Sequence, residues 1–424
     1  MRTRRRHHRR PRRLRVGWPL ALLALVVGVI LAVERPWSGG RDPRRWPFAS
    51  ASIWNTPIGA HAAYAPFHAT TDAAGGVAPQ PGIRGPGLAV TASGGRESVG
   101  PGYGVNAGVD VNYLFYAADD DPTVTVHQQQ QWTGQRCTGG ALAKPSATGP
   151  TPWRVHLPAD AIVPDAAGGQ TPNASSALVQ PDGRIVSLNV TARCTPGADD
   201  LHGTPSWQFT PARASQLDAD ARLTGAGIYG GHGGSGLSAL GGTLTAADLV
   251  STAPIHHALS LDINGAEYLS DAGGTGHVWP ALHNDDCAGC ASYVGGYHGT
   301  TPALRMGALL ALPPSVSAAT AGVRTPLGLE LFHALQDYGA YVVDDTGWSS
   351  VDLNIDQHAQ AAAQRTYGHP LDAGRPGSTW GAPDPAYYDD LMAIYGQLQV
   401  ITNNTAGSIG GGGTARAPLA PALA

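Results

Sequence analysis

Alternation of apolar and polar positions is the strongest signal along the chain, and it marks strands more often than helices. DVNYLFYAA (Asp110 to Ala118), TVTVHQQQQW (Thr123 to Trp132) and GRIVSLNVTA (Gly183 to Ala192) carry the period of two that a half-buried strand needs. HHALSLDI alternates most cleanly: His257, Leu259, Leu261 and Ile263 on one face, His256, Ala258, Ser260 and Asp262 on the other. VWPALH (from Val278) and RMGALLALP (from Arg305) are apolar on both faces and predict buried strands. The best helix is TPLGLELFHALQDYG. Thr325 is its N-cap, Pro326 opens its first turn, Gly339 follows its end, and Leu327, Leu331, Leu335 and Tyr338 form one apolar stripe. A strand, AYVVDD (Ala340 to Asp345), follows at once, and ARASQLDADARL (Ala212 to Leu223) reads as a short helix that divides two lobes. Many short strands, turn-forming glycines and few helices predict a mainly β fold, a β-sandwich or jelly-roll-like domain with a few helices.

One apolar run breaks the pattern. GWPLALLALVVGVILAV (Gly17 to Val33) is seventeen uncharged residues preceded by nine arginines in fifteen. That is the layout of a signal anchor with its N-terminus held in the cytoplasm. A cleaved leader is the alternative, but no small-x-small site closely follows Val33. The expected organisation is a basic cytoplasmic segment (1–16), a transmembrane anchor (17–33), a stalk (34–52), an exported β-rich domain (53–406) and a disordered tail (407–424). The chain is then a single-pass membrane protein with its body outside the cell, or a secreted one if cleaved. Without its first fifteen residues the chain keeps 18 basic side chains against 31 acidic ones, a net of −13. Such a body repels phosphate backbones, so no nucleic-acid partner is expected and a neutral polymer suits it better.

Outside a membrane, cysteines oxidise. The even set Cys137, Cys194, Cys287 and Cys290 fits two disulfides, Cys287 with Cys290 across a tight turn and Cys137 with Cys194 across a long loop. HNDDCAGC (His283 to Cys290) also has the spacing of a zinc site, with Asp285 or Asp286 as fourth ligand, but no second CxxC completes the pattern. No metal and no cofactor are expected.

Several segments, in order, resemble a family of secreted bacterial proteins whose reaction is not established and which occur beside carbohydrate-active proteins. They are SIWNTPIG (from Ser52), SGLSALGGTLTAADLVSTAPIHHALSLDI, HVWPALH, RMGALLALP, ELFHALQDYGAYVVDD and DPAYYDDLMAIYGQLQVI. The resemblance implies export and a β-rich fold. His257, His283 and Asp344 fall on its motif positions, whereas NASS (Asn173 to Ser176) stands where the family has an Asp-x-His pair.

Candidate chemistry follows from these residues. His257, His283 and Asp344 are the candidate catalytic groups. Tyr229, His232, Asp285, Asp286 and Asp345 are candidate substrate contacts, the first two from the loop GIYGGHGGSG and the others from turns that end strands. Each has a plainer reading, as a core histidine, an aspartate turn or a glycine loop. Only Glu97, Glu267 and Glu330 lie in the exported domain, so a glycosidase would depend on aspartates or a histidine. No Gly-x-Ser-x-Gly elbow, HExxH helix or phosphate loop occurs. The expected function is an exported, envelope-attached carbohydrate-active protein, a polysaccharide-degrading hydrolase. The alternative is a non-catalytic glycan-binding or envelope-structural protein.

Overall fold

The computed structural model describes residues 40–67, 106–128, 153–164, 174–197, 200–205, 222–251, 253–272, 274–285, 296–297, 299–346, 350–372 and 384–423. The apolar run at 17–33, the segment 212–221, Asp286, Cys137, Cys287 and Cys290 lie outside these residues, and no described helix is long and apolar enough to cross a membrane.

Twelve strands are described: β1 (Tyr64–Ala65), β2 (Asn106–Tyr116), β3 (Thr123–Gln128), β4 (Trp153–His156), β5 (Ser176–Val179), β6 (Ile185–Ala192), β7 (Asp200–Pro205), β8 (Leu259–Asn264), β9 (Leu309–Ala311), β10 (Ala340–Thr346), β11 (Ser350–Asp356) and β12 (Gln399–Ile401). The helices are α1 (Ala246–Val250), α2 (Gly265–Tyr268), α3 (Ala318–Ala321), α4 (Pro326–Asp337), α5 (Ala359–Tyr367) and α6 (Pro385–Tyr395). The class is mainly β with few helices. The expected two-sheet sandwich or jelly roll is not what the described strands form. All twelve are hydrogen-bonded in one mixed sheet, in the order β1-β12-β9-β10-β8-β11-β2-β5-β6-β7-β3-β4. Alternation reveals that a strand has two faces, but it cannot tell parallel from antiparallel neighbours, and β8 with β10, β11 with β2, and β2 with β5 are parallel.

One face of the central strands is apolar. Leu259, Leu261 and Ile263 of β8 and Val351, Leu353 and Ile355 of β11 share a core with Leu327, Leu331 and Leu335 of α4, Ala362 and Ala363 of α5, and Leu391 and Ile394 of α6. Helix α4 forms as its sequence dictates: Thr325 accepts from the Gly328 N–H, Pro326 opens the first turn, and Gly339 takes a φ of 78° just beyond the end.

The opposite face is polar and yet buried. Ser260 and Asp262 of β8, Asp352 and Asn354 of β11, and Asn112 of β2 all sit there with almost no exposure. The sheet curls around this face. Four strands separate β10 from β6, which would hold them roughly 24 Å apart in a flat sheet. Yet Asn189 Nδ2 of β6 and Asp344 Oδ2 of β10 both lie within 3.9 Å of the point a Cβ on Gly233 would occupy. The glycine-rich segment 227–236 therefore plugs the concave side.

Three further expectations change. VWPALH is a turn, not a buried strand, and of RMGALLALP only Leu309–Ala311 forms a strand, with Met306 in an isolated bridge to His277. The stalk ends early: from Arg41 the chain belongs to the compact unit Arg41–Leu423, and Phe48 is fully buried. The tail is ordered. Arg41 bridges to Leu423 and Gly59 to Ala415, and Arg416 Nη1 donates to the Tyr64 hydroxyl at 2.8 Å. Glycine content that reads as disorder here serves close approach. Gly410 to Gly413 all take positive φ and run against Pro57 to Ala62, where a Cβ at Gly410 would come within 2.6 Å of the Pro57 carbonyl.

Candidate active site: a proton-sharing aspartate pair

The carboxyl ends of the parallel pair β8 and β10 carry the site. Val342 is opposite Leu261 and Asp344 is opposite Asp262, so Val343 is an extra residue. This bulge turns Asp344 onto the polar face beside Asp262 and leaves Val343 in an apolar cluster. Asp285, Asp344 and Asp345 each offer a carboxylate oxygen, and the three oxygens lie within 4.8 Å of one another. Asp285 enters from the turn after Val278–His283, anchored where its N–H donates to the Tyr297 hydroxyl at 3.2 Å. The Asp345 N–H donates to Asp344 Oδ1 at 3.0 Å.

The charges explain the protonation. Burial first, then the neighbouring Asp285, Asp262 and Asp345 carboxylates, pushes Asp344 far above the usual carboxylate range, so it keeps its proton. It donates that proton to Asp285, which burial raises to about 6 and this hydrogen bond pulls back down. Tyr297 is raised strongly by burial and by the same three carboxylates, and it stays a neutral hydroxyl. A second acid pair lies behind the first. Asp262 is raised by burial and by Asp110, with which it shares a hydrogen bond. Asn354 Nδ2 donates to Asp262 Oδ1 at 3.0 Å, and Asn112 Nδ2 in turn donates to Asn354 Oδ1 at 3.1 Å and Thr243 Oγ1 at 2.8 Å.

The glycine segment seals this arrangement. A Cβ at Gly234 would collide with both Asp285 Oδ2 and Asp344 Oδ1, and one at Gly236 would come within 3.0 Å of His283 Nε2. His283 also hydrogen-bonds the Gly234 backbone, while burial and the charge of His277 lower it to about 4, so the ring is neutral at pH 7.

His283, Asp344, Asp285 and Asp345 are thus brought together around Gly234. His257 is not among them: it lies roughly 17 Å before Asp262 along the strand direction. Its Nδ1 faces the Ala258 carbonyl at 2.9 Å and its Nε2 faces Asp248 Oδ2 at 3.5 Å. Both nitrogens face acceptors, so the ring is a charged clamp between β8 and the capping box of α1, with no nitrogen left to act as a base. His232 is 1% exposed in the polar layer, its Nε2 3.4 Å from Asn112 Nδ2, and burial lowers it to about 3. Tyr229 is half-buried and bridges to Leu237. Asp286 and three of the cysteines lie outside the described residues; Cys194 is disulfide-bonded. Sequence reasoning missed Asp110, Asp262, Asn112, Asn354, Asn189 and Tyr297. The signal for most of them was present: alternate polar residues within strands otherwise apolar enough to be central.

The three carboxylates are oxygen ligands of the kind a hard cation takes, and they are the one such cluster among the described residues. No protein-family model, no curated protein and no solved structure matches the chain.

Proposed function

We propose that the chain is an exported hydrolase of neutral glycans in which Asp344 is the general acid and Asp285 its ionised partner. The observation that carries this reading is the buried carboxyl held protonated against a second carboxyl that titrates near neutrality. Two acids forced to share a proton acquire opposite roles. Asp344 can protonate the leaving oxygen, and Asp285, the more exposed of the two, faces the positive charge that develops at the sugar ring. Inverting glycosidases hold their carboxyls roughly 6.5–9.5 Å apart to admit a water, whereas retaining ones need only about 5–5.5 Å. Asp344 and Asp285 hydrogen-bond directly, which is closer than either separation but nearer to the retaining one, so a substrate on this course must part them. The acidic body and the membrane-side arginines support an envelope setting. The test is incubation of the full chain with neutral envelope polysaccharides, reading new reducing ends. Release that persists in the Asp344→Asn and Asp285→Asn proteins would refute the assignment.

A second reading draws on the same cluster. Every charged group that raises Asp344 is another carboxylate. A divalent cation held by Asp285, Asp344 and Asp345 would neutralise them, and the protein would then be a cation-dependent glycan binder without turnover. Calcium titration by calorimetry separates the two: tight binding that abolishes the shared proton favours the binder, and none favours the hydrolase.

A further inference from the structure

The concave face of the sheet holds a second set of groups that the acid pair does not use. Asn112 of β2 and Ser175, which immediately precedes β5, are neighbours by the parallel register, and Ser175 faces Asn189 of β6 by the antiparallel one. Ser187 lies two residues along β6 on the same face. Asn112, Ser175 and Ser187 are at most 1% exposed. Nevertheless Asn112 Oδ1, Ser175 Oγ, Ser187 Oγ and Asn189 Oδ1 have no hydrogen-bond partner. Native interiors leave few such atoms, and a run of them across adjoining strands calls for an occupant that both donates and accepts. These four side chains carry no charge, and a neutral polyol satisfies them where an anion would not.

The cover over them is backbone. Gly227 and Gly236 bracket it with φ of 66° and 72°, and a Cβ at Gly231 would sit 2.8 Å from the Leu188 carbonyl and 3.2 Å from that of Ser176. Its ties to the body include the Ser235 N–H to the Val343 carbonyl at 3.1 Å and the Leu282 N–H to the Ser235 carbonyl at 2.9 Å.

We propose that Asn112, Ser175, Ser187 and Asn189 form a binding track for a neutral oligosaccharide, and that segment 227–236 is a lid that swings away to admit it. The track leads to the acid pair, since a Cβ at Gly233 would lie within 3.9 Å of both Asn189 Nδ2 and Asp344 Oδ2. The inference rests on the glycan named above but not on its cleavage.

The experiment is calorimetric titration of the full chain with malto-, cello-, xylo- and arabino-oligosaccharides, with amide exchange of the lid read alongside. Ser175→Ala and Ser187→Ala suit the test because each removes a buried hydroxyl without a partner, so the fold should survive. At least one sugar should bind, each substitution should weaken it about tenfold, and exchange in 227–236 should change on binding. Binding unaffected by both substitutions, binding that leaves the lid unchanged, or no binding at all (ordered water only) would overturn the track. Sugar bound through the track but never cut would support it while removing the hydrolase. Cleavage at the wild-type rate by the Ser175→Ala/Ser187→Ala protein would do the reverse.

Discussion

Two residues with similar surroundings on paper behave in opposite ways. Asp344 is buried among like charges and keeps its proton, whereas Asp248, half-buried, faces His257 and stays ionised. For Asp344 the consequence belongs to the proposed hydrolysis. Hydrolysis should rise with pH as Asp285 ionises through about 6 and fall on the alkaline side as Asp344 loses its proton. Asp344→Asn should lower the rate roughly 10²–10⁴-fold and Asp285→Asn should erase the acid limb, both read from pH–rate profiles. For His257 the consequence is structural. Burial opposes its charge but Asp248 outweighs burial, so its pKa is raised in the folded state. Its contribution is then fully present below the unfolded value near 6.5 and is lost as pH climbs through the folded one. His257→Ala should cost roughly 1.5–3 kcal/mol in urea unfolding at pH 6, less at pH 9, and leave kcat unchanged.

Elements, more than residues, decide what could be read in advance. The strand β8, the helix α4 with its Thr325 cap, and the strand β10 were legible because period and capping are local. The site was legible only in part, because the bulge at Val343 is not. With regular pairing Asp344 would continue the alternation of Val342 and point at the helices. The extra residue sends it to the polar face, and no local preference of Val-Val-Asp-Asp encodes that. Asp110, Asp262 and Asn354 were hidden for another reason. Polar residues at alternate strand positions read as a solvent face, and only the curl of the sheet and the plug over it bury them. The plug can be tested directly. A methyl group at Gly234 would strike both carboxylates of the acid pair. Gly234→Ala should therefore abolish hydrolysis and raise the Asp285 midpoint seen by carboxyl NMR, whereas Ala at Gly407, whose nearest neighbour is Thr405 Oγ1 at 4.0 Å, should leave hydrolysis and that midpoint unchanged.

At the scale of the compact unit, a sheet wrapped around polar groups is closed from one side by glycine backbone and tied at the edge by the unit's first and last segments. The first feature predicts acid sensitivity. His232 is neutral inside, with its pKa lowered to about 3, while the unfolded chain takes up a proton below about 6.5. Stability is lost as pH falls from there, by about 1.4 kcal/mol per unit for this group. The raised carboxyls act with the opposite sign, so the diagnostic is the difference between wild type and His232→Gln, whose acid limb should be flatter. The second feature concerns the C-terminal segment. The Arg41 guanidinium reaches the Pro421 carbonyl at 2.7 Å and also the carbonyls of Trp46 and Phe48, while the Tyr338 hydroxyl donates to the Pro418 carbonyl at 3.2 Å. Removing residues 407–424 would strip Arg41 of one acceptor, leave the Tyr338 hydroxyl and Arg416's partner Tyr64 without theirs, and uncover Ile58 and its cluster. Each hydrogen bond lost to water costs about 0.5–1.5 kcal/mol, and the apolar surface uncovered adds to it. The truncated chain should therefore unfold several degrees lower in calorimetry and lose exchange protection at Pro57 to Ala62, where a disposable tail would leave both unchanged.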